Sequence, residues 1–291
     1  MCLRSRILAV LVGLSLLFLT AAGAPRKKAA LPRPDHVVVL ICENKGFPQV
    51  IGNADAPYIN EIADRGAVFT ESYALAHPSQ PNYVMLLAGS NLGVANNDVP
   101  KEQPFTEPNL AAELIGKGLT FCGYSEDLPE AGFDGAQHGD YVRKHNPWVN
   151  WQGAPRNEIP RACNQPFSAW PKDLSKLTTV AFVIPNLQND MHDGTIAQGS
   201  AWLKEKLGGY VEWAAGHNSL LIVTFDEDDN HHNQRIPTFF FGPMVRAGKY
   251  DRRITHYEVL RTLEDFYSLP PSGAAENAKP IDFCWQPASL P

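Results

Sequence analysis

Charge is scarce in this 291-residue chain, at 19% of residues, and so are cysteine, with five, and methionine, with four. No internal repeat and no low-complexity block interrupts it. Sparse charge beside 44% hydrophobic residues excludes wholesale disorder and provides for a packed core, here expected as one large domain. Basic residues are outnumbered 25 to 31, which argues against a nonspecific binder of nucleic acid or of an anionic membrane. The cysteines nowhere take metal-ligand spacing.

A long membrane-spanning run is also missing. The apolar stretch "ILAVLVGLSLLFLT" is only 14 residues long, follows the basic "MCLRSR" and precedes the small residues "AAGA". That order predicts a secretory signal peptide over residues 1–23, with a retained anchor as the alternative reading. Residues 24–34, with "PRKK", read as a solvated leader, and 35–291 as a single domain. Losing Arg4 and Arg6 takes the net charge from −6 to about −8. In an exported chain disulfides are permitted. Cys42 and Cys122 lie in apolar runs and read as buried thiols, whereas Cys163 and Cys284 lie in polar, Pro-containing stretches and are the pair expected to bridge.

What the chain does contain is a repeated grammar of apolar run followed by polar residues. "DHVVVLICEN" (35–44), "AVFTESYA", "LTFCGYSE", "TTVAFVIPN", "SLLIVTFDEDD" (219–229) and "RIPTFFFGPMV" predict strands. Helical patterns fall between them, with "THYEVLRTLEDFYSL" closing the series. Alternation of this kind predicts an α/β fold, a mainly parallel central sheet with helices on both faces. In such sheets chemistry collects at the carboxyl ends of the strands.

Those ends carry the candidate residues. Glu43 and Asn44 follow the first strand, and Asp226, Glu227, Asp228 and Asp229 follow "LLIVTF". A solvated acidic loop is the plain reading of such a charge run. Delivery of these carboxylates to one sheet edge favours a divalent cation, because the oxygens would otherwise repel one another. Asp190, His192 and Asp193 come to the same edge in "NDMHDG", and His145 sits in "YVRKHNPW". In "HPSQPNYVMLLAGS" Ser79 falls near a helix start, either as a simple cap or where an anion is favoured.

Seven motifs in order, among them "VVVLICEN", "HPSQPNYVMLLAGS", "VIPNLQNDMHD" and "LIVTFDEDD", resemble the secreted acid phosphatase and phospholipase C family of the alkaline-phosphatase-like superfamily. The likeness spans about 35–268 and is greatest to short bacterial secreted acid phosphatases, which include phosphoinositide phosphatases. It implies a metal set of Glu43, Asn44, Asp226 and Glu227 holding one divalent ion. It also implies Ser79 as nucleophile with a phosphoseryl intermediate, and His145 and His192 as catalytic groups at the phosphoryl and leaving oxygens. Asn44, His77, Asn82, His145 and His192 are implied as substrate-binding. The expected activity is an exported acid phosphatase acting on a phosphate monoester such as a nucleotide, sugar phosphate or phosphoinositide.

The rival readings are a phospholipase C-type phosphodiesterase and a non-catalytic binder of phosphate ligands. Family phospholipases generally carry further C-terminal domains, and a short Pro-rich tail after "EDFYSLPPSG" favours the monoesterase. An irregular segment at about 129–175 is expected over the substrate side, its Trp148 and Trp151 more as packing under a loop than as stacking platforms.

Overall fold

The computed structural model describes residues 31–287, so the expected signal peptide and the start of the leader lie outside the described residues. Among the described residues twelve strands are formed: β1 (His36–Cys42), β2 (Ala67–Phe69), β3 (Ser72–Tyr73), β4 (Phe121–Ser125), β5 (Gln137–His138), β6 (Tyr141–Val142), β7 (Asn164–Pro166), β8 (Val180–Ile184), β9 (Ser219–Phe225), β10 (Thr238–Phe241), β11 (Gly248–Tyr250) and β12 (Ile254–Thr255). Eight of them make one sheet in the order β11-β2-β10-β9-β1-β8-β4-β7. Only β10 runs antiparallel to its neighbours, so the expected mainly parallel α/β sheet is the fold observed. Two small ribbons, β3 with β12 and β5 with β6, sit apart from it.

Among the described residues seven α-helices cover the sheet: α1 (Phe47–Val50), α2 (Pro57–Asp64), α3 (Ser79–Ala88), α4 (Leu110–Gly116), α5 (Ile196–Trp202), α6 (Gly208–Ala215) and α7 (His256–Phe266). Strand β1 shows why its sequence is apolar throughout. Val37, Val39 and Ile41 pack with residues of α3, α4 and α7, while Val38, Leu40 and Cys42 pack with α2, α5 and α6. Both pleat faces are therefore core, and no position alternates to solvent. Each such side chain contributes about 1.5–3 kcal/mol on burial.

The α3 helix is buried along its whole length. It ends at Gly89, whose φ of 67° is left-handed, and a Cβ there would lie 2.0 Å from the Ser272 carbonyl oxygen. A similar constraint sits in β4: a Cβ on Gly123 would meet the Trp148 ring at 2.1 Å. Trp148 and Trp151 are fully buried, with indole N–H groups donating to Asn164 Oδ1 and to the Glu107 carbonyl, each at 2.9 Å. They are packing residues, as expected. The 129–175 segment adds edge strand β7 and several 3₁₀ turns, a strand its irregular sequence did not announce.

The expected Cys163–Cys284 bridge is not formed; Cys42, Cys122, Cys163 and Cys284 are all free. Topology supplies the reason. Cys163 leads into β7 at one edge of the sheet, and Cys284 lies beside the segment between β10 and β11, where its carbonyl accepts from Arg246 N–H at 2.8 Å. Strands about 4.8 Å apart put those edges on the order of 30 Å from one another, far beyond disulfide reach. Cys42, Cys122 and Cys284 are buried thiols.

Candidate active site

The three central strands β9, β1 and β8 end side by side, and the backbone locks the residues that follow. Asp226 N–H donates to the Cys42 carbonyl (3.0 Å), Glu43 N–H to the Asp190 carbonyl (2.8 Å), and Asn44 N–H to Asp226 Oδ1 (3.2 Å). Asn44 adopts φ 51° and Met191 φ 79°, left-handed conformations that are uncommon outside glycine and that turn the chain sharply at this edge. Glu43, Asp190, Asp226 and Glu227 are all buried.

Glu43 is the hub. Its Oε1 accepts from Tyr83 Oη at 2.5 Å and lies 3.0 Å from His145 Nε2, while Oε2 accepts from Ser79 Oγ at 3.1 Å. Ser79 Oγ is also 3.0 Å from Glu227 Oε1. Burial, followed by the Asp190 charge, pushes the Glu43 carboxyl up to about 8. Burial likewise raises Asp226 well above the ordinary range, with Glu43 and Glu227 adding to it, and raises Glu227.

Ser79 was expected at a helix start, and its position there is specific. It is the first residue of α3, the cap position is Pro78, and no side chain caps the helix locally. Its hydroxyl is therefore not spent on the helix. Asn97, far along the chain, accepts from Gln80 N–H at 3.1 Å, and Pro81 has no N–H to give. The helix end thus offers an anion little beyond Ser79 itself.

His145 is buried between two carboxylates, Nε2 toward Glu43 and Nδ1 3.1 Å from Asp190 Oδ2, and stacks on Tyr83 at 5.1 Å. Burial, then the neighbouring Lys144 charge, holds its pKa well below the usual value. His192 Nδ1 lies 2.7 Å from Asp193 Oδ1, and its backbone N–H donates to Asp190 Oδ1 at 2.7 Å. His77 spans Glu227 Oε2 (2.7 Å) and Asp228 Oδ1 (3.1 Å). Asn82 differs from its expected place at the substrate. Its Oδ1 accepts from Leu75 and Ala76 N–H and its Nδ2 donates to the Ala76 carbonyl, so it braces the loop that presents His77.

Sequence reading passed over Tyr83 and Lys144. Tyr83 had a signal: it lies four residues after Ser79 on a helix, hence on the same face. Lys144 had none before its contact with His192 was visible.

The residues fit a divalent cation. Asp226 Oδ2 is buried without a hydrogen-bond partner, and a cluster of buried carboxylates needs a compensating positive charge. Ligand atoms of Glu43, His145 and His192 lie within 4.8 Å of one another, as do those of Asp228, Asp229 and His232. In the second group Asp228 already accepts from Asn230, His232 and Gln234 N–H, which makes it a loop organiser.

Without a cation the sign of the pH dependence follows. The folded state binds protons more tightly than the unfolded one at Glu43, from an ordinary 4.5 to about 8. This contribution to stability is full below about pH 4.5 and is lost as pH rises through 8. Chelated protein is therefore expected to melt at a higher temperature at pH 5 than at pH 8, with a divalent ion removing the difference. Melting temperatures that rise with pH in chelator would contradict this.

Residues 53–270 match the phosphoesterase family. The chain belongs to that family. A phosphatidylinositol-3-phosphatase of Mycobacterium tuberculosis is 48% identical over 259 residues, covering 88% of this chain and 85% of that protein. An acid phosphatase of Aspergillus fumigatus is 30% identical over 227 residues; the match covers 73% of this chain but about half, 51%, of the fungal protein. A protein in the alkaline phosphatase superfamily from Vibrio parahaemolyticus superposes with a TM-score of 0.61 at 13% identity, covering 90% of this chain and 76% of its own, and so shares the fold. The enzyme class read from the sequence, a phosphoric monoester hydrolase, stands with these phosphoesterase relatives. Among the described residues no helix is long and apolar enough to cross a membrane.

Proposed function

We propose that the protein is an exported acid phosphatase that cleaves phosphate monoesters, phosphoinositides among them, with Ser79 as nucleophile. The observation that carries this is the Ser79 hydroxyl, free of any capping duty and held between Glu43 Oε2 and Glu227 Oε1. A divalent ion held by Glu43, Asn44, Asp226 and Glu227 would depress the hydroxyl pKa and offset phosphoryl charge.

The chain's own groups account for the rest. Ser79 Oγ passes its proton to a facing carboxylate and forms the O–P bond as the ester O–P bond breaks. The departing oxygen takes a proton from water and leaves as the alcohol; a second water then cleaves the phosphoseryl ester, its hydroxyl going to phosphorus as inorganic phosphate leaves and a proton returning to Ser79 Oγ. His145 lies within 3.1 Å of both Glu43 and Asp190, and its one ring N–H is available to orient one of these carboxylates. Tyr83 donates to Glu43 Oε1.

The test is a phosphatase panel with and without chelator, accompanied by elemental analysis. Hydrolysis of monoesters, a phosphoinositide included, should exceed that of a choline phosphodiester, vanish in chelator and return with a divalent metal. Faster diester cleavage would overturn the monoesterase reading, and binding without turnover would favour a ligand-binding protein. Export rests on the N-terminal pattern, and an intact Met1 on protein recovered from its native compartment would remove that part.

A further inference from the structure

The 3₁₀ turn Arg143–His145 sends three basic side chains in three directions, as three residues per turn require. Arg143 is buried and donates to the Asp134 carbonyl, to Gln103 and to Asn150 Oδ1. His145 is buried against Glu43 and Asp190. Between these two anchors Lys144 is half-buried, and its Nζ lies 3.0 Å from His192 Nε2.

That contact fixes the histidine. An ammonium has donors only, so His192 Nε2 accepts, and the ring N–H is at Nδ1, facing Asp193 Oδ1 at 2.7 Å. Both ring nitrogens are engaged, and His192 acts as a strut between Lys144 and Asp193. The Lys144 charge is felt by the carboxylates of Glu43, Asp190 and Glu227, whose pKa values it lowers, and so offsets negative charge that would otherwise repel an arriving phosphate. Two of its N–H groups remain beyond the one given to His192. The other nearby ammonium, Lys45, donates to the Met191 carbonyl at 2.7 Å, in the loop that carries His192.

Building on the phosphatase reading above, we propose that Lys144 is a catalytic residue that binds phosphoryl oxygens of the substrate, and that His192 is the positioning residue that holds its ammonium in place. Charge-assisted hydrogen bonds to phosphate are the contacts an ammonium makes best when its position is fixed.

The experiment compares wild type with Lys144→Met, Lys144→Arg, His192→Gln and His192→Ala, using inorganic phosphate as inhibitor and p-nitrophenyl phosphate as substrate. Lys144→Met should raise the phosphate inhibition constant and KM by roughly 10- to 100-fold, with melting temperature and metal content as in wild type. Lys144→Arg should recover much of the loss. His192→Gln, which still offers an acceptor to Lys144, should bind phosphate better than His192→Ala. Wild-type phosphate inhibition and KM in Lys144→Met would overturn the assignment while leaving the phosphatase reading intact. Should Lys144→Met fail to fold, Lys144→Gln decides the matter by the same constants. A wild type that neither hydrolyses monoesters nor binds phosphate would overturn the parent reading and this one together.

Discussion

Ser79→Ala is expected to lower kcat by on the order of 10³-fold or more while the protein still melts within a few degrees of wild type. The two halves of that result have separate causes. Activity falls because the atom proposed to take the phosphoryl group is gone, and water cannot replace it at the same place. The fold stands because the carboxylates facing Ser79 keep other partners: Glu43 retains Tyr83 and His145, and Glu227 retains His77. Alanine is also well tolerated at the start of α3, where Ser79 caps nothing. Activity assays and thermal melts on one preparation check both halves. Retention of most activity would remove Ser79 from the nucleophile role.

The second large effect is Asp226→Asn. The side chain keeps its size, and an amide oxygen can still accept from Asn44 N–H as Oδ1 does now. The change falls on Oδ2, which is buried without a hydrogen-bond partner. Replacing it with an N–H donor offers a cation nothing to bind. Metal content should drop to a small fraction of wild type, and kcat by on the order of 10²-fold or more. Stability in chelator should move the other way. Burial, with the Glu43 and Glu227 charges, disfavours the ionised Asp226 carboxylate; asparagine removes that cost at high pH, so chelated Asp226→Asn should melt above chelated wild type at pH 8. Metal content equal to wild type would take Asp226 out of the ligand set.

Much of the scaffold was legible because its determinants are local. An unbroken apolar run such as that of β1 can only be a strand or helix buried all round, and the polar residues after it mark where the chain leaves the sheet. The same logic brought Glu43, Asp226 and Glu227 to one edge before any coordinates. What escaped was set by contacts between distant segments. Nothing near Asn97 says that it holds the N–H of Gln80, and nothing in "RKH" says which of three basic side chains turns toward His192. Asn82 illustrates the reverse error of emphasis. Its place beside the nucleophile suggested substrate contact, whereas its amide is consumed by the backbone of Leu75 and Ala76. The cysteines misled for a third reason: local polarity favours a bridge, but only topology decides whether two sulfurs can meet.

The central claim is that Ser79 Oγ carries the phosphoryl group during turnover. Enzyme mixed with a phosphate monoester, quenched in acid during steady-state turnover and digested for peptide mass analysis, tests it directly. The account predicts one phosphoryl group on the peptide spanning Ser79, absent from Ser79→Ala and from a sample quenched before substrate is added. Active enzyme whose Ser79 peptide stays unmodified through turnover would contradict it.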